Sequence, residues 1–119
     1  MDRETKARTF HRSGSNCSMS VMRTYADELG IDEDRAASEA PKPRSDGGKC
    51  GAYLAAMEIL GRIAPDKASD FETGFIALNG SNLCAILKGA SGKNGKNCND
   101  YVADAVNLVA ELTGKEQNG

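Results

Sequence analysis

Apolar residues recur at intervals of three and four along residues 98–112, the spacing that places them on one face of an α-helix. Asn97 precedes this stretch as a capping residue, and Gly114 follows it as a terminating glycine. This is the clearest helical pattern in the chain and predicts a long C-terminal helix. The stripe comprises Cys98, Tyr101, Val102, Ala105, Leu108, Val109 and Leu112.

The same spacing recurs upstream and predicts an all-α fold. A polar helix is expected from Asp2 to His11, a second helix from Cys17 to a stop at Gly30, and an acidic one that opens at Asp32. No segment alternates with a period of two over the length of a strand. We therefore predict one compact helical bundle of about five to seven helices over residues 1–119, with a glycine-rich loop at 89–96 and a frayed end at 115–119. Further stripes are Tyr53, Leu54, Met57, Leu60 and Ala64, followed by Ala68, Phe71, Phe75 and Leu78.

Composition narrows the functional classes. The chain has a formal charge of −2 with scattered basic residues, which gives no nucleic-acid footprint. No apolar run approaches the ~20 residues that span a bilayer, and the N-terminus lacks the apolar segment of a signal peptide. We therefore expect a cytoplasmic protein without a membrane span.

Each of the four cysteines follows closely on a capping or turn segment. In a reducing cytosol, such cysteines are metal-binding or redox-active more often than they are joined in structural disulfides. A sulfur in the first turn of a helix faces unpaired N–H groups and the positive end of the helix dipole, which lower the pKa of a thiol. The preceding segments are Ser15–Asn16 for Cys17, Asp46–Gly48 for Cys50, Ser81–Asn82 for Cys84, and Asn97 for Cys98.

Sequence spacing alone does not bring the cysteines together. Their intervals of 33, 34 and 14 residues contain no C-x₂-C pair, so only the fold can make them converge. Each also lies on an apolar stripe, where a cysteine can serve simply as a small hydrophobic residue. Gly51 and Ala52 leave little side chain beside Cys50, which allows a bulky group or another backbone to approach its sulfur.

Four segments around the cysteines form a recognisable pattern: Gly14–Cys17 with Ser20–Val21, Cys50–Ala52, Gly80–Ser81 with Cys84–Leu87, and Cys98 with Val102. In this pattern the chain resembles the C_GCAxxG_C_C family of redox-active bacterial and archaeal proteins, over about Ala7 to Leu112. Two features depart from the family pattern: Ala55 stands at the closing glycine of the Cys-Gly-Ala-x-x-Gly motif, and prolines precede Cys50 at 41 and 43. The resemblance implies an iron–sulfur cluster or redox-active thiols, with Cys17, Cys50, Cys84 and Cys98 as the cofactor-binding or metal-ligating residues.

Three functional hypotheses remain open at this point. The first is a small electron-transfer protein whose four cysteines ligate an iron–sulfur cluster and serve a redox protein partner. The second is a thiol–disulfide redox protein that needs no metal, and the third is a structural zinc module that mediates interactions. The sequence shows no catalytic acid–base pair, and it leaves open whether the protein is an enzyme and whether it forms a homodimer.

Overall fold

A computed structural model describes residues 2–87 and 96–114 of the chain. Residues 89–95 of the loop predicted at 89–96, and the frayed end predicted at 115–119, lie outside the described residues. Within them, the chain forms helices and no strand, which confirms the all-α prediction. One isolated antiparallel bridge joins Lys49 to Leu83.

The helices vary from single turns to sixteen residues. Five of those in the described ranges have eight residues or more, in agreement with the predicted bundle, and a 3₁₀ turn at Pro65–Lys67 follows the helix Gly51–Ile63. Residues 84–87 are also helical. In chain order the helices are α1 (Arg3–Arg12), α2 (Cys17–Thr24), α3 (Ala26–Leu29), α4 (Glu33–Ser38), α5 (Ser45–Gly48), α6 (Gly51–Ile63), α7 (Ala68–Asn79) and α8 (Cys98–Thr113).

Polar side chains fix the starts of four helices. Asp2, Asn16, Asp32 and Asn97 each accept a hydrogen bond from the backbone N–H three residues further on. At α8 the bond is reciprocal, because the Asp100 carboxylate accepts from the backbone N–H of Asn97 at 2.9 Å. Such caps satisfy N–H groups that have no partner inside the helix, which explains why the sequence pattern located these starts.

The predicted helix from Cys17 to Gly30 is interrupted at Tyr25. Its dihedrals (φ −105°, ψ 15°) separate α2 from α3. The Tyr25 ring is fully buried, its hydroxyl donates to the carbonyl of Val106 at 2.9 Å, and the Arg3 guanidinium lies 4.4 Å from the ring centroid. We attribute the break to this tertiary anchoring, which a periodic pattern does not encode.

Helices α2, α6 and α8 contact one another and form the centre of the bundle, with α1 packed on α2 and α8, and α7 on α6 and α8. Small residues on α6 allow this close approach: Ala52, Ala55 and Ala56 are all fully buried. No helix in the described part of the chain is both long enough and apolar enough to cross a membrane. The packing brings the N-terminal ends of the three central helices to one side of the core.

Candidate redox site

All four cysteines line one cavity. Cys17 is the first residue of α2, Cys50 immediately precedes α6, Cys84 begins the helical residues 84–87, and Cys98 is the first residue of α8. The cavity has a volume of ≈ 120 Å³. Each sulfur therefore belongs to a helix start, as the sequence predicted, and the fold brings these four starts together. Gly51, Leu87, Asn97 and Tyr101 complete the lining.

A short backbone pairing joins the Cys50 segment to the segment that precedes Cys84. The N–H of Cys50 donates to the carbonyl of Asn82 at 2.7 Å, next to the bridge between Lys49 and Leu83. These contacts hold two cysteines that are 34 positions apart in sequence on the same cavity. A single pair of bridged residues leaves no periodic pattern, so the sequence could not reveal it.

The turn before Cys50 has an unusual backbone. Arg44 and Asp46 have positive φ values of 65° and 52°, and Gly47 and Gly48 are also left-handed. A left-handed conformation costs a non-glycine residue about 1 kcal/mol or more. The N–H of Arg44 donates to the carbonyl of Lys49 at 2.9 Å, which closes this turn and fixes where Cys50 enters the cavity.

The sulfur of Cys17 packs directly on the backbone of Gly51. A Cβ atom added at position 51 would overlap Cys17 Sγ and would lie 3.0 Å from the ring of Pro43. The sequence suggested that the small residues at 51 and 52 make room beside the Cys50 sulfur. The structure shows that Cys17, from another helix, takes the space at position 51.

Cys17 is the cysteine most favoured to ionise. The Cys98 thiol donates a hydrogen bond to its sulfur, and the backbone N–H groups of Ser18 and Ala52 also face it. These contacts outweigh burial and lower the pKa of Cys17 to about 6, although its residue surface is only 8% exposed. At neutral pH, Cys17 is therefore a thiolate held by the starts of α2, α6 and α8.

In contrast to Cys17, Cys98 and Cys50 keep their protons at neutral pH. The hydrogen bond to Cys17 raises the pKa of Cys98, and the nearby negative charge and desolvation of its sulfur on the cavity side raise it further, although the residue as a whole is exposed. Burial raises the pKa of Cys50 to about 11, while the N–H groups of Tyr53 and Ala52 offset only part of that effect. The prediction that a helix start gives a lowered thiol pKa is thus correct for Cys17 and wrong for Cys50, where burial outweighs the N–H groups, and for Cys98, where the hydrogen bond to Cys17 holds the proton.

Exposure is unequal among the four sulfurs. Cys17 and Cys50 are buried, Cys84 is half-buried and Cys98 is exposed, so the cavity meets solvent on the side of the last two. Tyr101, three residues after Cys98 on the same helix face, lines the cavity and donates its hydroxyl to the carbonyl of Leu87 at 3.0 Å. The sequence analysis placed Tyr101 on the α8 stripe without assigning it to the site, although its spacing from Cys98 could have indicated this.

Ion pairs hold the start of α8 beside the exposed sulfur. Asp100 pairs with Arg8 of α1 at 3.1 Å, and Lys96 pairs with Asp104 at 2.8 Å. Arg8 and Lys96 are thus engaged with carboxylates of α8, and the thiol of Cys98 directs its hydrogen bond to Cys17.

The fold and the cavity define the class of this protein: an all-α protein with four free cysteines around one cavity that is open to solvent on one side. The family described as "Putative redox-active protein (C_GCAxxG_C_C)" matches residues 15–112, and the chain belongs to that family. This match confirms the resemblance found in the sequence. Neither the curated proteins nor the solved structures contain a match to the chain.

Proposed function

We propose that this protein carries electrons on an iron–sulfur cluster ligated by its four cysteines. The observation that supports the proposal is the common cavity lined by Cys17, Cys50, Cys84 and Cys98. Four cysteine thiolates are the usual ligand set of [2Fe–2S] and [4Fe–4S] clusters. Membership in a redox-active family agrees with this function.

Structural zinc is the competing metal for a four-cysteine site. A zinc ion needs four sulfurs at about 2.3 Å from one centre. In the described part of the chain, no three His, Cys, Asp or Glu side chains are grouped closely enough to hold a metal ion, whether zinc or iron. A cluster of several irons would occupy space between its ligands, and the cavity that the four cysteines line has a volume of ≈ 120 Å³. We therefore propose the cluster ahead of structural zinc.

A bound cluster would supply one-electron oxidation and reduction. Cys17 would bind the cluster as a thiolate, the form that its lowered pKa favours at neutral pH. The N–H groups of Ser18 and Ala52 that face its sulfur would favour negative charge there. Cys50 and Cys98 hold their protons at neutral pH, so ligation would release these protons. A redox protein partner would approach from the exposed side, at Cys84 and Cys98.

The test is anaerobic purification followed by iron and sulfide analysis and visible absorption spectroscopy. We expect charge-transfer absorption with stoichiometric iron and sulfide, lost in the Cys50→Ser variant. Ser18→Ala is the matched control, since it keeps the backbone N–H and all four sulfurs. A colourless, iron-free protein that cannot be reconstituted would refute the cluster. One equivalent of zinc without iron would establish the zinc module instead.

The contact between Cys17 and Cys98 favours a second candidate function, thiol–disulfide exchange. The two sulfurs are joined by a hydrogen bond, one as thiolate and the other as thiol. The Cys17 thiolate would attack a partner disulfide that enters through the open side of the cavity, at Cys84 and Cys98, form a mixed disulfide and release one partner thiolate. Cys98, after losing its proton, would then attack the Cys17 sulfur, form the intramolecular disulfide and release the second partner thiolate. The partner disulfide is reduced by two electrons, and the Cys17–Cys98 pair is oxidised by two.

Intact mass and peptide mapping of metal-free protein test this candidate. Oxidation should remove two hydrogen atoms and link Cys17 to Cys98. Cys17→Ser should abolish the link, whereas Cys84→Ser, which leaves both sulfurs in place, should retain it. Exchange at this pair is refuted if no intramolecular disulfide forms or if other cysteines are linked.

A further inference from the structure

Gly51 differs from the other helical glycines in the described chain in what surrounds its Cα atom. A Cβ at Gly61, also in α6, would meet nothing within 4 Å, and one at Gly74 would meet only the flexible side chain of Leu108. At Gly51 the added atom would overlap the Cys17 sulfur. Gly51 has no positive φ, so its backbone conformation does not itself require glycine.

Because Gly51 has no side chain, the sulfur of Cys17 can lie against its backbone. By resting on Gly51, Cys17 Sγ reaches the N–H of Ala52 in the first turn of α6 while it accepts the hydrogen bond from Cys98. The ring of Pro43 lies against the same point of Gly51, at 3.0 Å from the position of a Cβ. A sulfur displaced from Gly51 would therefore leave both the α6 start and Cys98.

We propose that Gly51 is a positioning residue that seats the Cys17 sulfur in the four-cysteine cavity. Its importance for redox chemistry rests on the proposed function of the cavity. The seating itself depends only on the packing of Cys17 on Gly51, and it applies equally to cluster ligation and to disulfide exchange.

A double-mutant cycle isolates the contact between the two residues. Glycine to alanine in a helix is by itself stabilising, because it reduces the freedom of the unfolded chain and favours helix. We expect Gly51→Ala to raise the unfolding equilibrium constant by at least about tenfold more in the wild-type background than in a Cys17→Ala background, where only the contact with Pro43 opposes the added methyl group. The contact with Pro43 is present in both backgrounds and does not enter the difference.

Urea unfolding of the reduced, metal-free protein provides these constants, with Gly61→Ala as the matched control in both backgrounds. Equal effects of Gly51→Ala in the two backgrounds would overturn the inference. Should Gly51→Ala alone fail to fold, recovery of folding in the double variant would support the inference, and failure in both backgrounds would overturn it.

A second measurement separates positioning from general stability. With oxidised glutathione as oxidant, we expect the rate of Cys17–Cys98 linkage to fall by at least about tenfold in Gly51→Ala and to stay unchanged in Gly61→Ala. An unchanged rate in folded Gly51→Ala would overturn the inference. If the wild-type protein forms no such link, disulfide exchange fails as a function, and the unfolding cycle still decides the role of Gly51.

Discussion

Replacing Cys98 with alanine tests how the protein holds Cys17 as a thiolate. The pKa of Cys17 lies at about 6, compared with an ordinary value of 9.0. The hydrogen bond from the Cys98 thiol makes the largest contribution, and the N–H groups of Ser18 and Ala52 add to it. Cys98→Ala removes the first contribution and leaves the backbone donors in place.

The size of the effect follows from these values. Lowering the pKa from 9.0 to about 6 corresponds to about 4 kcal/mol in favour of the thiolate, at about 1.4 kcal/mol per pH unit. A hydrogen bond to a charged group contributes about 1.5–3 kcal/mol. Loss of the Cys98 donor should therefore raise the pKa of Cys17 by about one to two pH units, to between about 7 and 8.

The titration can be followed by NMR in reduced, metal-free protein with ¹³Cβ-labelled cysteine, which needs no reagent to enter the cavity. Cys98→Ser is the matched control, because its hydroxyl remains a hydrogen-bond donor at the same position. We expect the pKa of Cys17 to be lower in Cys98→Ser than in Cys98→Ala. If Cys17 still titrates near 6 in Cys98→Ala, the backbone donors alone hold the thiolate and our account of the pair is wrong.

Three further measurements test the pH dependence, the α2–α8 contact and the α8 cap. In urea, the stability of the reduced, metal-free protein should rise between about pH 6 and 9, where Cys17 is ionised in the folded state and still protonated in the unfolded state. It should fall above about pH 9, where Cys50 ionises in the unfolded state but keeps its proton in the folded state, in which its pKa is about 11. A flat profile contradicts this. Tyr25→Phe removes the donor to Val106 and should lower the free energy of unfolding by about 1 kcal/mol, with an unchanged value excluding that bond as a stabilising contact. Asn97→Ala should lower it by about 1 kcal/mol in thermal or urea unfolding, and Asn97→Gly by less, since glycine is the better cap; the reverse order would contradict capping.

The fold was largely predictable because its helices carry local signals. The caps at Asn16, Asp32 and Asn97 are sequence-adjacent to the helices that they start, and the α8 stripe follows from spacing alone. The break at Tyr25 was not predictable, because its cause lies in Arg3 and α8. Local patterns thus located the elements, whereas distant contacts determined where one of them is interrupted.

Local sequence signals also made part of the candidate site predictable. Cys17 and Cys98 follow the asparagine caps of α2 and α8, so local capping patterns located these two at helix starts, and Cys50 and Cys84 lie at helix starts as well. Their convergence depends on helix packing and on the bridge between Lys49 and Leu83. The unequal pKa values of Cys17 and Cys50 depend on sharing one cavity, so no local argument could distinguish two sulfurs at similar helix starts.

The different protonation states that the pKa values favour for Cys17 and Cys98 connect the two candidate functions. Without a metal, the pKa values favour a thiolate at Cys17 beside the thiol of Cys98, which is the pairing that disulfide formation requires. A cluster would require both sulfurs as separate ligands and would draw them into iron–sulfur bonds. Cluster ligation and disulfide formation would therefore compete for Cys17, and a protein oxidised before it meets iron should assemble a cluster only after reduction of that pair.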